Sequence, residues 1–207
     1  MSTSAVVCGA GIVGMATALG LARQGVKDVV LLGPPTKQLA LDRQTFHPRV
    51  YAISAASERF LVELGVWSLM NRERITRVEA MEIKGDQFGA LYLRGWQAAQ
   101  NALTWIVESG EIERVLQQAL KVYGVNWIED TLDSYSQCTG ITTSGQTLTA
   151  DLWIAADGAQ SKLRALGGLT YDETPYDAVG VVGHFTTEFA HQACAFQWFR
   201  PEGVLGV

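Results

Sequence analysis

Three glycines near the start of the chain have the spacing of a phosphate-binding turn. Gly9, Gly11 and Gly14 form the pattern Gly-x-Gly-x-x-Gly directly after the apolar run Ala5–Cys8. In such a turn the first glycine permits a tight bend, the second lets the backbone approach a pyrophosphate, and the third allows close packing of the next helix. The helix N-terminus adds the positive end of its dipole. The spacing therefore predicts a dinucleotide site; the alternative is that the glycines only allow strand and helix to pack closely.

Two further segments carry polar groups suited to a nucleotide. Asp157 and Gly158 follow the apolar run 152–156, and a carboxylate at a strand end of an open α/β sheet is well placed to hold sugar hydroxyls. An isolated Asp-Gly is more often a turn that caps a helix. Arg49 precedes a predicted helix and could reach a phosphate, although a lone arginine is usually a solvated surface charge. The acid that binds the adenosine ribose is expected at position 33, which is glycine.

The elements that must position these residues indicate an α/β fold. Strand Ala5–Cys8, a helix from Ile12 that stops at Gly25 and strand Val29–Leu32 form a βαβ unit. The pattern further predicts a helix over 54–64, antiparallel strands over 77–106, a helix capped by Ser109, short strands over 125–149, a strand over 152–156 and β-structure over 177–207. We predict a Rossmann-like domain with a mixed or parallel sheet and helices, inserted antiparallel strands and part of a β-rich second domain.

Composition excludes several classes of protein. The 207 residues are 48% apolar and carry a net charge of −5, which excludes a disordered chain and argues against a nucleic-acid-binding one. Cys8, Cys138 and Cys194 are widely spaced, so neither a disulfide framework nor a metal site is predicted. We see no signal peptide and no apolar run long enough to span a bilayer. The expected location is the cytoplasm.

The order of the motifs resembles that of a known family. After the glycine turn come Arg-Val-x-Ala-Ile-Ser-x-x-Ser-x-x-x-Leu-x-x-Leu-Gly-Val-Trp over 49–67 and Ala-Asp-Gly-Ala-x-Ser-x-x-Arg over 156–164. With these motifs the chain resembles the FAD-dependent aromatic hydroxylases, the class A flavoprotein monooxygenases. Among them it is most similar to the ubiquinone-biosynthesis hydroxylases, the branch that includes 2-octaprenylphenol hydroxylase. The resemblance covers essentially the whole chain.

The resemblance implies roles for individual residues. The three glycines of the turn would meet the FAD pyrophosphate, and Arg49 and Ser109 would lie along the adenosine and pyrophosphate region. Asp157 and Gly158 would form the family's Asp-Gly motif, which serves both FAD and NAD(P)H. The implied FAD-binding domain comprises 1–76 and 107–170, and 77–106 with 171–207 would form part of a substrate domain.

The resemblance also implies an activity. NAD(P)H would reduce FAD, and the reduced flavin would use molecular oxygen to hydroxylate an aromatic small molecule, expected to be a prenylated phenol of ubiquinone biosynthesis. Because the cofactor performs the difficult step, we predict no catalytic residue. A prenylated substrate would bring the protein into peripheral contact with the inner membrane. Membership of a biosynthetic complex and homo-oligomerisation both stay open.

Two departures from the family open alternatives, and the first is Gly33, which replaces the family's usual acid. The family's downstream Gly-Asp motif does not occur before Val207, so we expect the chain to be the N-terminal half of a hydroxylase and inactive alone. A nicotinamide-dependent oxidoreductase is one alternative, although its doubly wound domain would continue with alternating strands and helices where 77–106 is predicted to be antiparallel. A non-catalytic, truncated flavin-fold module of a biosynthetic assembly is the other, and Gly33 favours it modestly.

Overall fold

The computed structural model describes residues 3–35 and 46–207, which fall into two compact units. The first unit comprises Met1–Ala40 and Ile112–Val181, and the second comprises Leu41–Glu111 and Val182–Val207. The α-helices of the described residues are Ile12–Arg23 (α1), Ala55–Glu63 (α2), Ser109–Val122 (α3) and Lys162–Leu166 (α4). None of the described helices is both long and apolar enough to cross a lipid bilayer.

The strands are numbered in chain order. They are Thr3–Cys8 (β1), Val29–Leu32 (β2), Val50–Ser54 (β3), Ile75–Val78 (β4), Ala80–Lys84 (β5), Ala90–Arg94 (β6), Thr104–Glu108 (β7), Asn126–Ile128 (β8), Leu132–Ser136 (β9), Thr139–Thr142 (β10), Thr147–Ala155 (β11), Cys194–Arg200 (β12) and Gly203–Gly206 (β13).

In the first unit, six strands form one sheet in the order β8-β2-β1-β11-β10-β9. Strand β1 runs parallel to both β2 and β11, and β2 runs parallel to β8. The four residues of β2 and the last four of β1 are all buried apolar residues, as expected for parallel strands covered on both faces. With α1 between β1 and β2, the predicted βαβ unit and the α/β class are confirmed.

The long strand β11 joins the parallel strands to an antiparallel part of the sheet. Its residues 147–149 pair with β10 and its residues 150–155 pair with β1, while β10 also pairs with β9. Leu132 and Leu148 of this antiparallel part belong to the same buried cluster as Cys8 and Leu32 of the parallel strands. The start of β9 is thereby held against the carboxyl ends of β1 and β2.

Helix α3 has the buried face that its sequence predicts. Its apolar residues at helical spacing are all buried: Ile112, Val115, Leu116, Ala119 and Leu120. The predicted cap is wrong by one residue, because Ser109 is itself the first residue of the helix. Its side chain, nearly fully buried, lies against the ring of His47 within the second unit.

The second unit contains two sheets, and the antiparallel strands predicted over 77–106 are confirmed, because β5 pairs with β6 and β4 pairs with β7. Strands β3, β7 and β4 form one antiparallel sheet, and the other has the order β13-β12-β5-β6 with β12 parallel to β5. Strands β4 and β5 are separated by Glu79, whose backbone N–H donates to the carbonyl of Ala193 at 2.7 Å. The tail forms strands only from Cys194 onward, so the prediction of β-structure over 177–193 is wrong.

Candidate functional site

A cavity of about 590 Å³ lies at the carboxyl ends of β1, β2 and β11. These strand ends contribute residues 8–11, 32–34 and 156–158 to its wall, and the start of β9 adds Thr131 and Leu132. Open α/β sheets bind their ligands at the carboxyl ends of the strands, because the loops there converge on one crevice. The cavity is therefore the candidate ligand site of the first unit.

The three glycines of the turn have different surroundings. A Cβ atom on Gly9 would lie 2.2 Å from the carbonyl oxygen of Ala156, and one on Gly14 would lie 1.8 Å from the carbonyl oxygen of Gly9. Neither position has room for a side chain. A Cβ atom on Gly11 would meet nothing within 4 Å, and Gly11 lines the cavity. Gly9 and Gly14 thus allow the turn to close, and Gly11 leaves space for a ligand to approach the backbone.

The start of α1 favours an anion beside Gly11. Gly11 is the N-cap residue, no side chain caps the helix, and the first turn contains no acidic residue. The first backbone bond of the helix runs from the N–H of Met15 to the carbonyl of Gly11 at 2.9 Å. Backbone N–H groups at a helix N-terminus, together with the helix dipole, stabilise negative charge. This end of the cavity suits a phosphate group.

The carboxylate of Asp157 is bonded to the start of α4. Its Oδ2 accepts hydrogen bonds from the backbone N–H groups of Lys162 at 2.7 Å and Leu163 at 3.1 Å, and its Oδ1 accepts one from the Ser161 hydroxyl. In the structure the carboxylate therefore caps a helix, which is one of the two roles that the sequence allowed for Asp157. Asp157 and Gly158 both line the cavity, and their contact with a cofactor stays a prediction.

Cys8 forms an uncharged part of the cavity wall. The pKa of its thiol is raised to about 12, mainly because the thiol is buried and to a lesser extent because Asp157 is negatively charged. Both effects disfavour the thiolate. The thiol consequently stays protonated at neutral pH and contributes no negative charge that would repel a phosphate.

Position 33 has no room for the acidic residue that dinucleotide-binding domains usually carry at the end of the second strand. A Cβ atom on Gly33 would lie 2.7 Å from the backbone nitrogen of Ala10. The backbone is held there from two sides, because the N–H of Gly33 donates to the carbonyl of Ile128 at 3.0 Å and its carbonyl accepts from the indole N–H of Trp127 at 2.8 Å. The backbone around position 33 therefore accommodates glycine and leaves no space for a carboxylate side chain.

Arg49 and Ser109 lie together in the second unit. The N–H of Ser109 donates to the carbonyl of Arg49 at 3.0 Å, and the Ser109 hydroxyl lies 3.0 Å from Nδ1 of His47. The neighbouring Glu108 binds Arg74 through both carboxylate oxygens, at 2.9 and 3.1 Å, and accepts from the backbone N–H of His47 at 2.6 Å. These contacts form a polar cluster around the buried Glu108 and Ser109, and the predicted contacts of Arg49 and Ser109 with FAD stay predictions.

Sequence reasoning missed part of the cavity wall. Thr131, Gln160 and Lys162 line the cavity, and none of them was a candidate. Gln160 and Lys162 lie inside the Asp-Gly motif segment, which is the signal that could have found them. Thr131 belongs to no recognised motif, and it reaches the cavity only because it follows the short strand β8.

Residues 2–192 match the family model described as "FAD binding domain". The chain belongs to this family. FAD is the cofactor of the FAD binding domain family, and the site fits it, because Gly11 leaves open space next to a helix start without an acidic side chain. The cavity of this family member also lies at the carboxyl ends of its strands, where open α/β sheets bind dinucleotides.

Several relatives are similar over nearly the whole of this FAD binding domain. The ubiquinone hydroxylase UbiL of Rhodospirillum rubrum is 28% identical, over 97% of this chain and 48% of its own length. The 3-demethoxyubiquinol 3-hydroxylase of Escherichia coli is 26% identical, over 97% and 53% respectively. The crystal structure of PqsL, a probable FAD-dependent monooxygenase from Pseudomonas aeruginosa, superposes with a TM-score of 0.70 at 16% identity, over 85% of this chain and 48% of PqsL. The chain thus spans about half the length of the curated relatives it matches.

Proposed function

We propose that this chain is the FAD-binding, N-terminal part of an FAD- and NAD(P)H-dependent monooxygenase that hydroxylates an aromatic ring in ubiquinone biosynthesis. The observation that carries the proposal is the cavity at the strand ends, where Gly11 leaves open space beside the start of α1. The similarity of nearly the whole chain to two ubiquinone hydroxylases supports the choice of pathway.

The chain's own residues bind and orient the cofactor in this proposal. The backbone at Gly11 and the N-terminus of α1 hold the pyrophosphate, because both present N–H groups to a negative charge. Asp157 keeps the turn after β11 in place through its three hydrogen bonds to 161–163. FAD, when bound, supplies the redox chemistry that takes electrons from NAD(P)H and activates oxygen. We assign no catalytic residue to the chain.

The proposed substrate is an aromatic small molecule, a prenylated phenol. Its support is that two relatives are named for ubiquinone or demethoxyubiquinol hydroxylation, and that PqsL has been crystallised with 2-aminobenzoylacetate, which contains an aromatic ring. Molecular oxygen would be the second substrate. A prenylated phenol resides in the membrane, so the proposal includes peripheral contact of the protein with the inner membrane.

A calorimetric titration of the 207-residue chain with FAD, and separately with NADH, tests the cofactor. FAD binding without NADH binding is the expected result. Binding of NADH alone would favour a nicotinamide-dependent oxidoreductase, and binding of neither would overturn the proposal. Gly11→Val should abolish FAD binding and leave the circular dichroism spectrum unchanged. Gly89→Val is the matched control, because a Cβ atom there also meets nothing within 4 Å and Gly89 does not line the cavity.

The hydroxylase activity is tested on a protein that is as long as the relatives. Oxidation of NADPH or NADH and consumption of oxygen should both depend on an added phenol, and a hydroxylated product should be detected by mass spectrometry. Asp157→Ala should impair both flavin retention and NAD(P)H oxidation, because the turn after β11 loses its anchor. Wild-type values for both quantities would contradict the role of Asp157.

A further inference from the structure

The cavity has to satisfy the ribose hydroxyls of a bound nucleotide without an acid at position 33. A ribose hydroxyl that enters a protein site without a hydrogen-bond partner loses its bonds to water, which weakens binding. At position 33 a side chain of any kind would collide with the backbone nitrogen of Ala10, 2.7 Å from the Cβ position. The partner must therefore come from another element of the cavity wall.

Most other polar side chains of the wall are poor candidates. The carboxylate of Asp157 already accepts three hydrogen bonds from 161–163, and the thiol of Cys8 is buried and protonated. Gln160 and Lys162 follow β11, which is separated from β2 by β1, a distance of about 10 Å between strand axes. The remaining polar residue of the wall is Thr131, which follows β8, the strand paired with β2.

Thr131 follows the strand that lies next to position 33. Strand β8 pairs with β2, and the N–H of Gly33 donates to the carbonyl of Ile128, the last residue of β8, at 3.0 Å. Thr131 is three residues further along and lines the same cavity. Its hydroxyl can both donate and accept a hydrogen bond, which matches a ribose hydroxyl.

Asp130 holds Thr131 in a fixed position. Its Oδ1 accepts from the backbone N–H of Thr131 at 2.7 Å, and its Oδ2 accepts from the N–H and hydroxyl of Ser144 at 3.0 and 2.6 Å. The carbonyl of Thr131 also accepts from the N–H of Thr143 at 2.9 Å. The segment that carries Thr131 is thus tied to the turn between β10 and β11 before any ligand binds, which lowers the entropy cost of binding.

We propose that Thr131, positioned by Asp130, makes the hydrogen bond to a ribose hydroxyl of the bound nucleotide in place of the acid that is missing at position 33. The proposal rests on the proposed FAD-binding function. It makes the ribose contact a neutral hydrogen bond, which contributes less to affinity than the charge-assisted bond of a carboxylate.

The test combines variants of Thr131 with nucleotides that lack one ribose hydroxyl. Thr131→Val should weaken FAD binding by about 3- to 10-fold, the worth of one neutral hydrogen bond, and Thr131→Ser should keep the wild-type affinity. Thr149→Val is the matched control. Both threonines belong to exposed threonine pairs, with 3.2 Å between the Oγ1 atoms of Thr139 and Thr149 and 3.4 Å between those of Thr131 and Thr143. Thr149 does not line the cavity.

The nucleotide probes are ADP, 2′-deoxy-ADP and 3′-deoxy-ADP, each measured by displacement of FAD. In the wild type, loss of the contacted hydroxyl should weaken ADP binding by about 3- to 10-fold. In Thr131→Val, loss of the same hydroxyl should have no further effect, because its partner is already gone. Additive losses, or wild-type affinities in Thr131→Val, would overturn the ribose contact alone. A chain that binds neither FAD nor ADP would overturn the proposed function together with it.

Discussion

Gly11 and Gly14 are expected to respond to the same substitution in different ways. Alanine at position 14 would place its methyl group 1.8 Å from the carbonyl oxygen of Gly9, whereas alanine at position 11 would meet no atom within 4 Å. Both residues belong to the start of α1, and Gly11 has a backbone conformation that alanine can adopt, with φ −75° and ψ 180°. The pair therefore separates the folding role of the turn from its binding role.

The expected loss of stability in Gly14→Ala follows from two opposing contributions. Alanine is better than glycine inside a helix by about 1 kcal/mol. Against this, the methyl group overlaps a backbone atom that no rotamer change can move away, so the upper end of the overpacking range applies, about 3 kcal/mol. The net loss is about 2 kcal/mol, or about 4–8 °C in Tm for a chain of this length. For Gly11→Ala we expect a stability within about 0.5 kcal/mol of the wild type, since the weaker N-cap and the less flexible unfolded chain offset each other.

Urea denaturation of the apoprotein and titration with FAD measure the two roles. Gly14→Ala should lower the free energy of unfolding, and Gly11→Ala should leave it unchanged while weakening FAD binding by about 10-fold, which corresponds to about 1.4 kcal/mol. Wild-type stability in Gly14→Ala would refute the argument from the 1.8 Å approach. Wild-type FAD affinity in Gly11→Ala would refute the assignment of the open space at Gly11 to the cofactor.

Three further predictions concern buried and exposed ionisable groups. Glu108→Gln should lower the free energy of unfolding by about 1.5–3 kcal/mol, because the buried carboxylate loses the charge that strengthens its hydrogen bonds to Arg74 and to the backbone N–H of His47. Arg77→Ala, which removes an exposed ion pair, should cost less than about 1 kcal/mol, and equal losses in urea would contradict this. Hydrogen bonds, chiefly from the side chain of Ser144, hold the pKa of Asp130 below its usual 3.8, so its stabilising effect should be complete above that pH and decline as pH falls through the lowered folded-state pKa. Thermal melts of wild type and Asp130→Asn across this range should converge in acid, and a gap that widens there would contradict the assignment. Because the pKa of Cys8 is raised to about 12, the native protein at pH 8 should react with a thiol reagent at the exposed Cys138 and not at Cys8, which should react only after unfolding.

Much of the first unit could be predicted from the sequence because its signals are local. The apolar runs of β1 and β2, the glycine spacing between them and the apolar spacing from Ile112 to Leu120 each lie within one short segment. Their burial in the structure follows from that pattern alone. The motif order over 49–67 and 156–164 was also sufficient to point to the family that the FAD binding domain model identifies.

The second unit was harder to predict because its strand partners are distant in sequence. The break at Glu79 depends on the carbonyl of Ala193, more than a hundred residues away, and β5 has β12 as a parallel partner. Alternation of apolar residues indicates a strand, but it does not say which strand lies beside it. The antiparallel strands expected over 77–106 are present, but their sequence gives no sign that β5 also pairs with the remote strand β12.

The sequence by itself determined that a dinucleotide-binding turn stands between a buried strand and a helix. The tertiary structure decided what each polar group of the site bonds to. The sequence placed Asp157 at a strand end, and the structure shows that its carboxylate caps α4. Position 33 lacks an acid, and the nearby backbone nitrogen of Ala10 leaves no room for one. Thr131 lies in the cavity wall because β8, which precedes it, pairs with β2. Residue types and spacing are local, whereas a hydrogen-bond partner or a steric limit depends on which distant backbone atoms folding brings within a few ångströms.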